Sequence, residues 1–182
     1  MSKRILIVTG SPRVGGNSDR LAEAFAKGAL EAGHTVETFA AGRANISPCH
    51  ACDMCFSKGM PCVFNDDFNE KLVPMLRNAD VIALVSPLYW YDISAQHKLA
   101  IDKLKAFSGH EALPIKESVL MMCGAVSEEE RFSGAVEVYR QITRGSLKWQ
   151  DRGVVLAPSC PQKGDIEKSP ALEKAYKLGL SL

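Results

Sequence analysis

Ile5-Leu6-Ile7-Val8-Thr9 runs directly into Gly10-Ser11-Pro12-Arg13-Val14-Gly15-Gly16-Asn17-Ser18, and an amphipathic stretch opens near Asp19. The order is that of a buried strand, a Gly/Ser/Asn loop and a helix N-terminus. The first-turn N–H groups of such a helix have no intrahelical partners, and its dipole adds roughly half a positive charge there. The junction is therefore an anion site. Ser11, Asn17 and Ser18 add hydroxyl and amide donors, and Arg13 adds a guanidinium. Two well-known nucleotide loops are excluded. After Gly10-x4-Gly15 a Walker loop needs Lys and then Ser/Thr, where this chain has Gly16-Asn17. A dinucleotide loop needs glycine where Pro12 stands. A single phosphate fits better than ATP or NAD.

Working outward, strand and helix patterns alternate. Residues 4–10 read as a strand. Residues 18–32 read as a helix with Leu21, Phe25 and Ala29 on one face, stopped by Gly33. A second strand covers 34–39, and 41–65 is an irregular, cysteine-rich insertion. Asp66 and Asp67 open a helix running to about Ala79, their charges suiting its positive end. The continuous apolar run 81–85 predicts a strand covered on both faces. It empties into Ser86-Pro87-Leu88-Tyr89-Trp90-Tyr91, read as a loop, and Ser94 is placed to cap a helix through Phe107. Strands at 118–123 and 153–157 and helices at 133–148 and about 168–180 complete the pattern. Five strands alternating with five helices predict an α/β fold, a doubly wound parallel sheet in three layers. Ligands of such sheets lie beyond the strand C-termini. There the loops 10–18, 86–94 and 123–132 meet, so topology brings the anion loop and the aromatic run to one mouth.

Composition agrees with one domain spanning 1–182. Hydrophobic residues make up 46% and charged residues 24% of the chain, and the net charge is +1. That balance gives no reason to expect nucleic acid or an anionic membrane as partner. No stretch approaches the roughly 18 to 20 apolar residues of a membrane span, and the five-residue apolar start does not read as a signal peptide. The expected compartment is the reducing cytoplasm, where the six cysteines point to metal or redox chemistry rather than disulfides.

These residues resemble the flavodoxin-like NAD(P)H-dependent FMN reductases. The loop Gly10–Ser18 resembles that family's FMN phosphate loop, and Ser86-Pro87-Leu88-Tyr89-Trp90 resembles the loop along the isoalloxazine. Lys98-x3-Asp102 resembles the family's Lys-x3-Asp-Arg segment, with Lys103 in place of the usual Arg. The resemblance covers most of the chain up to the fourth strand and implies a five-stranded parallel sheet of order 2-1-3-4-5. It also implies FMN as cofactor, with Ser11, Pro12, Arg13, Gly16, Asn17 and Ser18 at its phosphate. Pro87, Leu88, Tyr89 and Trp90 would lie along the ring, and Gly124 and Ala125 at its other edge. NAD(P)H would be the co-substrate, and a quinone, free flavin, nitro or azo compound the acceptor. The hydride chemistry is the flavin's, so no catalytic side chain is required. Arg13 alternatively binds the nicotinamide cofactor's phosphate. Family members dimerise or tetramerise over the flavin mouth, which the resemblance extends to this chain as a homodimer or homotetramer.

Cys49-x2-Cys52-x2-Cys55-x6-Cys62 places four cysteines in fourteen residues. Three cysteines at three-residue spacing can point at a common centre, as at the start of a bacterial ferredoxin motif. By spacing, a cluster, a structural zinc, a redox dithiol and thiols packing a loop all remain open. The run resembles that of the iron-sulfur flavoproteins, which carry FMN plus a 4Fe-4S cluster. The alternative function is thus electron transfer from a ferredoxin-like donor. A non-catalytic FMN-binding or metal-stabilised interaction module is the reading from another class. Cys123 and Cys160 read as buried small hydrophobes, and His97 as a surface or interface histidine.

Overall fold

The computed structural model describes residues 1–58, 61–109 and 111–182. Gly59 and Met60 of the cysteine-rich segment lie outside them. Strands β1 (Arg4–Thr9), β2 (Thr35–Phe39), β3 (Val81–Tyr89), β4 (Asp92–Ile93), β5 (Glu117–Cys123) and β6 (Gln150–Ala157) form one sheet. Its order is β2-β1-β3-β5-β6, with β4 paired to β3 alone. All pairings are parallel except the β3–β4 hairpin. With β4 set aside, this is the expected order 2-1-3-4-5, the flavodoxin-like arrangement.

The sheet has a core on each face because its central strands are apolar on both. Ile5, Ile7, Ala83, Val85 and Val119 pack against α1 (Asn17–Glu31) and α6 (Ala171–Leu180) through Leu21, Phe25 and Ala175. Leu6, Val8, Ile82, Leu84 and Leu120 pack on the other face against α3 (Val73–Arg77), α4 (Ala95–Lys103) and α5 (Ser133–Arg140), with Leu76, Ile101 and Tyr139 among the partners. The one-turn helix α2 (Met54–Ser57) lies within the cysteine-rich segment. Three expected helices change shape. The helix read from Asp66 opens with a π-helical turn over Phe68–Leu72 before α3, and that of 133–148 widens into one over Gln141–Ser146 after α5. The last begins at Ala171, after a 3₁₀ turn at Asp165–Lys168.

The largest correction concerns the segment after β3. Ser86–Tyr89 is strand, not loop, and it turns back at Trp90-Tyr91 so that Leu88 opposes Ile93 and Tyr89 opposes Asp92. Both turn residues have positive φ, +48° and +67°. A two-residue hairpin requires this, and Asn-Gly usually supplies it. With Trp-Tyr in the turn, the sequence lacks the ordinary signal for one.

Helices α1 and α6 cross at glycine. A Cβ at Gly28 would sit 2.1 Å from the carbonyl oxygen of Tyr176, and one at Gly179 would sit 2.2 Å from that of Phe25. Backbone cannot yield as a flexible side chain can. Gly28→Ala should therefore lose about 1–3 kcal/mol of unfolding free energy in urea titration, although alanine is the better helix former. A stabilised variant would show that this contact is looser than described.

Candidate functional site

The C-terminal edge of the sheet holds a cavity of about 210 Å³. Ser11, Arg13, Gly16, Asn17 and Ser18 line it from the β1–α1 loop, and Pro87, Leu88 and Tyr89 from the end of β3. Gly124 and Ala125, after β5, close a third side. Of the residues expected there, Pro12 and Trp90 alone lie off the lining. Pro12 is exposed. Trp90 is 94% exposed because the hairpin turn carries it away from the sheet.

Gly16 is the N-cap of helix α1 and supplies no side-chain cap, so first-turn N–H groups remain for a ligand. The loop's own polar side chains are largely committed elsewhere. Asn17 Nδ2 donates to the carbonyls of Gln162 (2.8 Å) and Cys160 (3.3 Å), and Asn17 Oδ1 accepts from the Gly164 N–H at 2.9 Å. Its amide thus joins the loop to the segment after β6. Ser18 Oγ lies buried 3.2 Å from Cys123 Sγ. Ser11 Oγ accepts from the Arg13 N–H at 3.2 Å. The Arg13 side chain is exposed, on the cavity wall. Lys163 also lines the cavity, donating to the Val14 carbonyl at 3.0 Å.

The one carboxylate in the helix's first turn, Asp19, accepts from the Gly15 N–H at 2.8 Å. Arg43 pairs with it at 3.2 Å and also donates to the Ser11 carbonyl at 3.1 Å. Arg43 therefore offsets Asp19, leaving the helix dipole, Arg13 and Lys163 to set a positive potential. On the opposite wall, burial pushes the Cys123 thiol up to about 11, so it stays protonated at neutral pH.

Beneath the loop, Ser94 holds the expected N-cap position of α4, but its side chain makes no capping hydrogen bond. Its hydroxyl donates to the Gly10 carbonyl at 2.7 Å, and its N–H donates to Ser86 Oγ at 3.1 Å. His97 is wholly buried rather than at the surface. A Cβ at Gly10 would stand 2.5 Å from His97 Cβ, so the ring occupies the space that glycine leaves. Among the described residues neither ring nitrogen has a hydrogen-bond partner. Burial pushes its pKa down to about 3.

The four clustered cysteines line a separate cavity of about 30 Å³. Cys49 and Cys52 are exposed, and Cys55 and Cys62 half-buried. His50 lines the same cavity, its ring tilted against Phe64 at 4.6 Å. The segment is pinched at its base: Asn45 N–H donates to Asp67 Oδ2 and Asp67 N–H to the Asn45 carbonyl, at 2.8 and 3.1 Å. Asp66 accepts from Ser47 and Phe68 N–H groups and forms a buried ion pair with Lys103 of α4 at 2.5 Å. Burial raises the Asp66 pKa, but Lys103 and the two N–H donors outweigh it, so the carboxyl titrates below its ordinary value. Lys103 also lines the cysteine cavity.

A family model described as NADPH-dependent FMN reductase matches residues 3–156. The chain belongs to that family. Curated relatives of this chain include an iron-sulfur flavoprotein of Archaeoglobus fulgidus, 31% identical over 125 residues, covering 68% of this chain and 56% of the relative. Another, from Methanocaldococcus jannaschii, is 34% identical over 100 residues, 55% of this chain and 51% of the relative. The chain thus spans about half the length of the curated relatives it matches. Among solved structures, an NAD(P)H:quinone oxidoreductase from Methanothermobacter marburgensis superposes with a TM-score of 0.79 at 19% identity, covering 100% of this chain and 97% of that one. An azoreductase from Bacillus anthracis gives 0.73 at 18% identity, with both chains fully covered. These two likenesses show the fold.

The family match stops at Leu156, and the segment that completes the cavity lies beyond it. Cys160, Pro161 and Lys163 line the cavity, yet sequence reading assigned them no part in it. The signal was present in the prediction of a fifth strand, whose C-terminal loop must reach the same edge. Arg43 carried no local signal, since its partners are some thirty positions away in the chain.

His97 makes a pH prediction. Its folded pKa lies below the ordinary value near 6.5, so its contribution is complete above 6.5 and is lost as pH falls toward 3. Between pH 7 and pH 5 that amounts to about 2 kcal/mol. Urea titrations of wild type and His97→Leu at both pH values should show a smaller pH loss in the variant. His34, whose pKa is also lowered, remains as a common background. An equal loss in the two proteins would place the His97 titration elsewhere.

Proposed function

We propose that the protein is an FMN-dependent oxidoreductase taking electrons from NAD(P)H and passing them to a quinone, flavin or similar small acceptor. The observation that carries this reading is the single cavity that joins an uncapped helix N-terminus to an apolar strand end. Arg13, Lys163 and the first turn of α1 answer a phosphate. Pro87, Leu88 and Tyr89 offer the ring an apolar wall. Gly124 lets the end of β5 pack closely on that wall, since a Cβ there would press on Leu88 Cβ at 3.0 Å and Phe132 at 3.1 Å. The bound flavin supplies hydride acceptance and donation. The neutral Cys123 thiol adds no charge against it. The exposed aromatic turn at Trp90-Tyr91 is the surface for a homodimer or homotetramer.

Purified protein should be yellow, bind FMN and oxidise NADH or NADPH with a quinone acceptor. Arg13→Ala should weaken FMN binding about tenfold, near 1.4 kcal/mol, in a fluorescence titration. Failure of the wild-type protein to bind FMN sinks the reading. FMN binding without turnover leaves the non-catalytic module.

The second reading, an iron-sulfur flavoprotein receiving electrons from a ferredoxin-like donor, is favoured by the cysteine segment. Four thiols fit a 4Fe-4S cluster in type and number, and all four face one cavity. Ala51 and Asp53, interleaved with the cysteines, both hold φ of +52°, a strain that collects at ligand-binding loops. Among the described residues, no three His, Cys, Asp or Glu side chains already close on a metal ion. Holding a cluster therefore requires the segment to rearrange above the Asp66–Lys103 pair. About four iron and four sulfide per chain after anaerobic purification, lost in Cys52→Ser, are expected on this reading. Metal-free wild-type protein with intact FMN binding would leave the thiols as loop packing.

A further inference from the structure

A larger cavity, about 580 Å³, lies beside the one at the sheet edge, between the end of β6 and the start of α6. The two share Cys160 and Pro161 in their walls, so they adjoin. Lys168 and Lys174 line the larger cleft. The carboxylates nearest them in the chain are engaged elsewhere: Glu167 pairs with Arg20 at 2.7 Å, and Glu173 pairs with Lys177 at 2.6 Å. Among the described residues neither Lys168 nor Lys174 has a salt-bridge partner. With Lys163 on the wall of the smaller cavity, three cations mark a path outward from it. Two carboxylates also line the cleft. Asp165 Oδ2 accepts from the Gln162 N–H at 2.7 Å, and Glu129 lies on the segment after β5.

A nicotinamide dinucleotide that presents its nicotinamide to a flavin in the smaller cavity must lay its adenosine end on an adjoining surface. The cleft adjoins the smaller cavity, is large enough for a nucleoside, and carries two cations for a phosphate dianion together with carboxylates that accept from ribose hydroxyls. We propose that this cleft holds the adenosine end of NADPH, with Lys168 and Lys174 on its 2′-phosphate. The assignment rests on the oxidoreductase reading for its substrate; NADPH is the donor in the family's description, and what is assigned here is its adenosine site and the two lysines that set the preference over NADH.

The test separates cleft from reaction by measuring binding directly. With FMN-loaded protein, calorimetry should show adenosine 2′,5′-bisphosphate binding at least about tenfold more tightly than 5′-AMP. Lys168→Ala/Lys174→Ala should remove that preference and raise the KM for NADPH about tenfold, leaving the KM for NADH within about twofold. Lys177→Ala, on the helix of Lys174 but paired with Glu173, should change neither. Equal affinity for the two nucleotides, or a preference unaltered in the double variant, overturns the assignment. Lysine-dependent bisphosphate binding in a protein that oxidises neither dinucleotide upholds the cleft and overturns the oxidoreductase reading instead.

Discussion

The site depends on a close approach at Gly10, where the chain leaves β1. The Gly10 N–H donates to the Val85 carbonyl at 2.7 Å, and its own carbonyl accepts from Ser94 Oγ. His97 fills the place where a side chain would stand. Gly42 comes in from another direction: a Cβ there would lie 2.4 Å from the Ser11 carbonyl oxygen. Strand β1, helix α4 and the segment leading to the cysteines thus converge on two residues without side chains. Close packing leaves such a junction little room to adjust, so the anion loop has a fixed floor.

From that floor the electrostatics follow. An anion site needs positive potential, yet the first turn of α1 contains Asp19. Arg43, one residue beyond Gly42, resolves the conflict by pairing with Asp19 and donating to the loop's carbonyls. Asp66 and Lys103 do related work for the cysteine segment, where a buried carboxylate is accommodated because an ammonium and two N–H groups answer it. Arg43 ties the start of the cysteine segment to the anion loop, and Lys103 ties its end to α4. The two candidate cofactor regions therefore share one scaffold, as a flavin and a redox partner would require.

Much of this was legible in the chain. Apolar runs at 5–9, 81–85 and 118–123 predict strands, the second of them covered on both faces, because hydrophobic pattern is a local record of burial. Glycine, serine and asparagine after β1 predicted the anion loop, since the chemistry of a helix N-terminus is local too. Less was legible where conformation defied residue type. Trp90-Tyr91 occupies a turn that ordinarily selects Asn-Gly, so the hairpin and the extended end of β3 carried no signal. Asn17 and Ser18 are donors by type, but their partners, Gln162 and Cys123, are more than a hundred positions away.

The sequence by itself determined the order of strands and helices and the place of the anion loop, because periodicity, helix termini and turn chemistry act over a few residues. It also determined the spacing of four thiols. Only the tertiary structure decided which donors remain for a ligand, and that His97 is buried behind Gly10. It alone decided that Arg43 neutralises Asp19 and that a cleft bearing two cations adjoins the loop. Those outcomes depend on which distant groups meet when the sheet closes, and a partner brought from across the fold alters a side chain's charge, donors and exposure without altering its place in the chain.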